Sequence, residues 1–316
     1  MTDTVDRVVV ADVPTRLDLA PKQLLWRRFR RHKAGMVALV VMVALVLFSI
    51  LGPLLWRVDY AATDFNAIGD PASAAHPLGT DSLGRDILVR LMIGGRVSLS
   101  VALLSQVLAI VVGTVVGLLA GYTNKHADSW IMRSIDVLMA IPDLLLLILL
   151  IPVLSGALQS SWAPSWLVWL NDVSLGTFGL IVGIFLITWT IVARLVRGQV
   201  LSLRELEFIE SAVNIGVPKP LIMYRHLLPN LATILVVAAT LGVPRGVLLE
   251  AGISFLGLGV SPPLPSWGTM ISDGLSVMRS DPHILLAPAV VLSLTVLCLN
   301  LLGDAIRDAV DPRSAT

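Results

Sequence analysis

The chain has 316 residues, of which 56% are hydrophobic and 14% are charged, and its formal net charge is +1. Its mean hydropathy is +0.85. This balance excludes an ordinary soluble domain and is typical of a membrane protein with several spans. The single cysteine, Cys298, excludes an internal disulfide and a cysteine-based metal site.

The N-terminal region, residues 1–34, begins as a polar segment and ends as a basic one. Residues 1–20 show no periodicity, and their composition predicts disorder. Residues 21–34 are expected to form a basic helical extension of the first span. The basic run from Arg27 to Lys33 lies at the membrane boundary, which favours a topology determinant that contacts anionic lipid over a nucleic-acid patch.

Six apolar runs are long enough to cross a hydrocarbon core, which takes about 20 residues. They lie near residues 35–56, 98–121, 136–154, 178–196, 231–249 and 284–302. Backbone groups in lipid must be hydrogen-bonded internally, so the sequence predicts an all-α integral membrane protein with six transmembrane helices. The first run is too long for a cleaved signal sequence, and we expect it to remain as an anchor.

The lysines and arginines predict the orientation of these spans. If the N-terminus is inside, seventeen of the 23 Lys and Arg residues lie on the cytosolic side and six on the other. Positive residues favour cytosolic loops, so both termini and segment 205–230 are predicted to be inside, with segments 57–97 and 155–177 outside. We call these two sides inner and outer.

Glycines and a few ionisable residues stand out within the apolar runs. Gly113, Gly117 and Gly121 recur every four residues, which predicts close contact with another helix. Five ionisable residues near the ends of runs are expected to be interfacial anchors or structural pairs, because long side chains readily reach the membrane surface. These are Arg133, Asp136, Arg194, Arg245 and Glu250.

The outer segment 57–97 contains the run HPLGTDSLGRD at residues 76–86. Asp86 and Arg90 are four residues apart, which predicts an ion pair on one face of an interfacial helix. The adjacent glycines 94 and 95 are expected to interrupt this helix before the second span begins.

The inner segment Glu207–Asn230 is a polar island between two apolar runs. Glu207–Ile215 is predicted to be a short helix that Gly216 ends. Two prolines, 218 and 220, should prevent immediate continuation, and Leu221–Leu228 is expected to form a second short helix before Pro229. The apolar face of the first helix would hold Phe208, Ile209, Ala212 and Ile215. Periodicity alone leaves an amphipathic loop on the membrane surface as an equal alternative.

Nothing in the sequence predicts catalysis or metal binding. His76, Asp81 and Ser82 lack a nucleophile elbow and an oxyanion motif, so we expect them to order the loop. Neither His76 nor His226 has a second ligand at metal spacing on a shared helix face. The pattern GxxxxGK[ST] does not occur, so the chain has no P-loop for ATP.

The inner segment resembles the EAA loop in the membrane subunits of ABC importers. The similarity rests on Glu210, Ser211 and Ala212, followed by Gly216 and then by His226-Leu227-Leu228-Pro229. Serine replaces the usual second alanine and histidine replaces the usual isoleucine. The form RHLLPN at residues 225–230 is similar to the dipeptide, oligopeptide and nickel branch of these permeases.

Three further motifs are similar to the same branch and occur in its order. They are HPLGTDSLGRD, then SFLGLG at Ser254–Gly259 with the Ser266-Trp267-Gly268 that follows, and NLLGD at Asn300–Asp304 with Asp311-Pro312-Arg313. The resemblance therefore covers about residues 22–313. It implies an importer permease bundle whose core, residues 98–305, contains the EAA loop and precedes a cytosolic tail, residues 306–316.

The resemblance also implies partners and site residues. The chain would work with a second, homologous permease subunit, two ATPase subunits and an extracytoplasmic substrate-binding protein, without binding a cofactor itself. ATP and Mg would bind to the ATPases. The residues implied in coupling to the ATPases are Glu207, Glu210, Ser211, Ala212, Gly216, Arg225, His226 and Pro229. We expect His226 to face a partner or to cap a helix.

The two outer motifs are longer than a connection requires, which favours a role for them at the outer gate or in docking the binding protein. Candidate residues there are Asp81, Arg85, Asp86, Ser266 and Trp267. Trp267 is expected to anchor its loop at headgroup depth, with or without a partner.

Three alternatives to a peptide importer remain open at this point. The first is an importer of nickel or another small solute, which the sequence does not distinguish from a peptide importer. The second is a secondary transporter or channel that works alone, and the third is a membrane scaffold. Dependence on a separate ATPase would distinguish the importers from the other two.

Overall fold

The computed structural model describes residues 21–310, apart from 159, 161–162 and 175. The segment 1–20, for which we predict disorder, and residues 311–316 of the tail lie outside this range. The described part of the chain is helical and contains no β-strand. The helices are α1 (Pro21–Arg31), α2 (Lys33–Leu55), α3 (Ile87–Tyr122), α4 (Lys125–Met139), α5 (Asp143–Leu158), α6 (Ser165–Val173), α7 (Phe178–Leu203), α8 (Glu207–Asn214), α9 (Lys219–Ile222), α10 (Leu228–Phe255), α11 (Trp267–Leu275) and α12 (Pro282–Val310).

Close packing of α3 against α7 forms the centre of the bundle. Added Cβ atoms on the three α3 glycines would lie 2.6, 2.7 and 2.8 Å from the Cβ atoms of Val192, Val196 and Val200. The prediction of close helix contact at Gly113, Gly117 and Gly121 is therefore confirmed. The contacting residues advance in the same order along both helices, so α3 and α7 are parallel. The chain between them must therefore cross the bundle once in the opposite direction.

That return crossing is made by a bent pair of helices. Five single helices, namely α2, α3, α7, the continuous α9–α10 and α12, are long and apolar enough to span a membrane, and α4 with α5 makes six. The pair bends by 91° between Met139 and Asp143. The predicted straight span 136–154 is thus wrong in shape. Pro142 explains the break, since the residue before a proline disfavours helical geometry.

The two ends of the described chain lie on the same side of the bundle. Phe29 of α1 is buried against Ala305 and Ala309 of α12. Gly35, near the start of α2, also contacts α12, because an added Cβ would be 2.4 Å from that of Ala305. A chain whose ends meet must cross an even number of times, so this contact agrees with six crossings and not with five.

The glycines at 94 and 95 do not interrupt the helix, contrary to prediction, and α3 runs without a break from Ile87 to Tyr122. An added Cβ on Gly94 would lie 3.2 Å from the backbone of Ser266, and one on Gly95 would lie 2.3 Å from Ser49 Oγ. The two glycines therefore allow α2 and the start of α11 to pack against α3, which positions the outer segments.

Candidate functional site

The inner segment folds back onto the bundle as α8. Ile209 and Ala212 are buried in a cluster that includes Val200 and Leu203 of α7 and Ile222 of α9. These two apolar residues, three positions apart, are what attach α8 to the inner ends of the spans.

The rest of the predicted apolar face is exposed. Phe208 is 43% exposed and Ile215 is 80% exposed, so the prediction that both join the buried face is wrong. Glu207, Glu210 and Ser211 are exposed as well. The result is a surface of acidic and large apolar side chains that no described residue covers, as expected for a contact with another protein.

Gly216 ends α8 in the way that its sequence position predicts. Its φ angle is +84°. Its N–H donates to Val213 O at 3.0 Å, and the N–H of Val217 donates to Ala212 O at 3.0 Å. This pair of bonds is a Schellman motif, which requires a left-handed residue after the helix. An added Cβ at Gly216 would meet nothing within 4 Å, so the backbone conformation alone favours glycine.

The second arm of the segment differs from the prediction. The expected short helix Leu221–Leu228 is part of one helix that continues from Lys219 to Phe255. Pro229 does not end it, because the turn Met223–Leu227 is π-helical and the N–H of Leu228 bonds to Met223 O. A widened turn accommodates the proline, which lacks an N–H of its own.

Arg225 and His226 lie in this π-helical turn. Arg225 is exposed and His226 is half-buried. The backbone carbonyl of His226 accepts a bond of 2.7 Å from the side chain of Asn230. His226 lies inside a continuous helix, so the suggestion that it caps one is wrong, and contact with a partner remains the prediction.

The outer motif at 76–86 is held by buried polar contacts. Asp81 accepts bonds from the backbone N–H of Leu83 at 2.9 Å and of Arg85 at 3.0 Å. Its second oxygen accepts a bond of 2.7 Å from Arg85 Nε and lies 3.4 Å from Arg90 Nε. One carboxylate thus fixes a tight loop and two guanidinium groups.

Asp86 begins α3 and does not pair with Arg90 as predicted. Its side chain accepts a bond of 3.1 Å from the N–H of Val89, which makes it the N-cap of the helix. Its other oxygen is 2.9 Å from His76 Nδ1. His76 therefore orders the loop, as the sequence suggests.

Asp273 of α11 completes this outer network. It lies 3.6 Å from Arg85 Nη2 and 3.9 Å from Arg90 Nη2. Burial raises the pKa of its carboxyl group, and Asp81 raises it further, whereas the two arginines lower it. The network joins α11 to the start of α3, two elements far apart in the chain.

Ser266 and Trp267 begin α11 inside the protein. The Ser266 hydroxyl and Thr269 form a capping box. Trp267 is fully buried, and its indole N–H donates to Leu91 O at 3.1 Å. The expectation that Trp267 anchors the loop at headgroup depth is therefore wrong, since the ring packs against α3 where Gly95 leaves room for it.

All five candidates for the outer gate or docking surface are buried within the subunit: Asp81, Arg85, Asp86, Ser266 and Trp267. Their contacts serve to order the outer segments. A part in docking the binding protein stays a prediction, and it would have to act through more exposed neighbours.

Ion pairs join the bent helices to their neighbours. Asp136 of α4 accepts a bond of 2.6 Å from Arg194 of α7, so the expectation of a structural pair there is confirmed. Asp128 accepts two bonds, of 2.5 and 2.7 Å, from Arg197. A third pair joins Asp143 of α5 to Arg245 of α10.

Sequence reasoning did not single out Asp128, Asp143 or Asp273. A signal was available for the first two, since aspartates 128, 136 and 143 recur at intervals of two helical turns. For Asp273 no signal existed, because its partners are more than 180 residues away in the chain.

Residues 113–316 match the family model described as "Binding-protein-dependent transport system inner membrane component". The chain belongs to this family. Residues 21–75 match a second model, the N-terminal transmembrane domain of oligopeptide transport permease C. The protein is accordingly a multi-pass permease of the inner membrane, and its family transports solutes and is not a family of enzymes.

Two relatives match most of the length of this permease. It is 36% identical to the oligopeptide transport system permease protein OppC of Haemophilus influenzae over 289 residues, which are 91% of this chain and 87% of the relative. It is 35% identical to the glutathione transport system permease protein GsiD of Pectobacterium atrosepticum over 311 residues, 97% of both chains.

A solved structure confirms the fold of the permease. A chain of the MetNI methionine ABC transporter, in inward-facing conformations, superposes with a TM-score of 0.55 at 23% sequence identity. The match covers 71% of this chain and 96% of the other. The bundle described above is therefore the ABC importer permease fold.

Proposed function

We propose that this permease forms part of the solute pathway of an ATP-driven importer of short peptides. The observation that carries the proposal is α8, a short inner helix that Ile209 and Ala212 attach to the bundle and that a Schellman turn ends. It presents an uncovered acidic and apolar surface. A permease without a P-loop needs such a surface for contact with a separate ATPase subunit whose conformational change drives transport. The relatives named for oligopeptide and glutathione transport support peptides as the substrate class.

The proposed assembly contains this permease, a second homologous permease, two ATPase subunits and an extracytoplasmic binding protein. ATP and Mg bind to the ATPases, and this chain binds no cofactor. Closure of the ATPases moves α8 through Glu207, Glu210 and the exposed apolar residues beside them. Because Ile209 and Ala212 fix α8 to α7, that movement is passed to the central helix pair.

Reconstitution of the complete complex in proteoliposomes tests this function. We expect uptake of a labelled tripeptide that requires both ATP and the binding protein. Uptake of Ni²⁺ in place of the tripeptide would favour a nickel importer instead. Uptake by this chain alone, driven by an ion gradient, would contradict the ATPase coupling.

A further inference from the structure

The ion pair between Asp143 and Arg245 lies at mid-depth in the bundle. Its neighbours in a small cleft include Thr190 and Ile191, which are half-way along α7. Arg245 also shares a cavity with Gln106, which lies near the middle of α3. These two helices thus place the pair near the middle of the length of the bundle.

Charged side chains at such depth are costly and usually functional. The pair is also not packed away, since the side chain of Arg245 is 44% exposed and that of Asp143 is 33% exposed within the subunit. Asp128 and Arg197, which form a similar pair at the inner end of α7, are more enclosed, at 21% and 29%. The pair is therefore accessible from the space between the helices.

That space is a cavity of about 560 Å³ between α3, α7, α10 and α12. Most of its lining is aliphatic, and its charged residues are Arg245 at mid-depth and Arg307 near the inner end of α12. The described lining carries no carboxylate, since Asp143 reaches Arg245 from the adjoining cleft, so the lining itself is positively charged. The volume is in the range of small-molecule sites.

Arg245 retains the capacity to bind an anionic group. A guanidinium has five N–H donors, and in the described part of the chain only Nη2 is hydrogen-bonded, to Asp143. A carboxylate matches the free edge of the guanidinium in geometry and charge. Asp143 keeps the arginine paired when the cavity is empty.

We propose that Arg245 binds the terminal carboxylate of a peptide as it passes through this cavity, with Asp143 as the resting counter-ion. The inference rests on the proposed peptide transport and adds a contact within the path. It assigns to the permease a recognition step that is separate from selection by the binding protein.

A protection experiment tests the carboxylate directly. Leu241, which lines the cavity, is replaced by cysteine in a Cys298→Ser background within the complete complex, and labelling of this chain by a maleimide is timed. We expect millimolar Ala-Ala-Ala to slow the labelling, and its C-terminal amide to have little effect. Equal protection by both peptides, or none by either, would overturn the inference.

Variants of the pair distinguish recognition of the peptide carboxylate from a purely structural role of the ion pair. Arg245→Gln should lower tripeptide transport about tenfold or more, as loss of a charged hydrogen bond does, while the binding-protein-stimulated ATPase stays within about twofold. Arg245→Lys should retain part of the transport, because lysine keeps the positive charge but lacks the planar guanidinium that binds a carboxylate through two N–H groups. Arg194→Gln, which breaks the Asp136 pair about one helical turn nearer the inner end of α7, serves as the matched control and should retain transport.

The double change Asp143→Arg with Arg245→Asp decides between the two roles. It rebuilds an ion pair with reversed charge. Full recovery of transport would show that the pair has only a structural role and would overturn the inference, whereas failure to recover supports it. Retained ATPase stimulation shows that each variant is assembled. A wild-type complex that transports no peptide would instead overturn the proposed function itself.

Discussion

At the scale of single residues, Gly216 is the position whose conformation the proposed coupling to the ATPase depends on most directly. Its φ of +84° costs a residue with a Cβ about 1 kcal/mol. Since open space surrounds the site, Gly216→Ala should strain only the backbone, displace the end of α8 and lower the coupling of ATP hydrolysis to transport. Transport per ATP hydrolysed measures this effect.

Two further variants make the Gly216 prediction specific. Asparagine tolerates the left-handed region, so Gly216→Asn should stay close to wild type. Gly198 also has nothing within 4 Å but lies inside α7 without a positive φ, so Gly198→Ala should leave the coupling intact. Equal coupling in the Gly216→Ala variant and the wild type would contradict the role of the Schellman turn.

Asp273 gives the outer network a pH dependence of known sign. Burial and Asp81 raise the pKa of Asp273, so the folded state holds its proton more tightly than the unfolded state does. Its contribution to stability is therefore fully present below the ordinary pKa of 3.8 and is lost as pH rises through the raised value. We expect unfolding temperatures of wild type and Asp273→Asn to diverge over that interval, with the wild type falling more steeply. Parallel curves would contradict this assignment.

At the scale of elements, the α3–α7 contact tolerates no added volume. An added Cβ on Gly117 would lie 2.6 Å from Ala193 O, a backbone atom that cannot move aside easily. Gly117→Val should destabilise the bundle by about 1–3 kcal/mol through overpacking, measured as a lower unfolding temperature in detergent. Gly156→Ala in α5, which has nothing within 4 Å, is the control and should not lower it. A Gly117→Val protein as stable as wild type would contradict the packing.

The same scale shows what the sequence could and could not reveal. Apolar length located the spans, and the glycine repeat located their closest contact, because both depend on local pattern. In a membrane protein, however, an apolar side chain suits lipid and protein interior equally, so nothing local distinguished a buried Trp267 from an interfacial one. The pairing of Arg90 with Asp273 depends on residues distant in the chain, which a local pattern does not bring together.

For the proposed coupling site, the sequence placed α8 and its end at Gly216 correctly because a helix stop is a local signal. It failed at Phe208 and Ile215, which periodicity assigns to the apolar face although they stay exposed. Periodicity records which residues are apolar and cannot record which of them the chain itself leaves exposed.

At the scale of the whole molecule, six crossings require both ends of the chain on one side, and the charge bias makes that side the cytosol. The contact of Phe29 with Ala305 and Ala309 supports a shared side but does not identify it. We expect reporter fusions after Pro71 and within 165–172 to report the outside, and fusions after Val310 and within 210–220 to report the inside. The 165–172 fusion is the most informative of the four, because it reports outside only if the bent pair α4–α5 crosses the membrane. An inside signal there would leave five crossings and would contradict the parallel arrangement of α3 and α7.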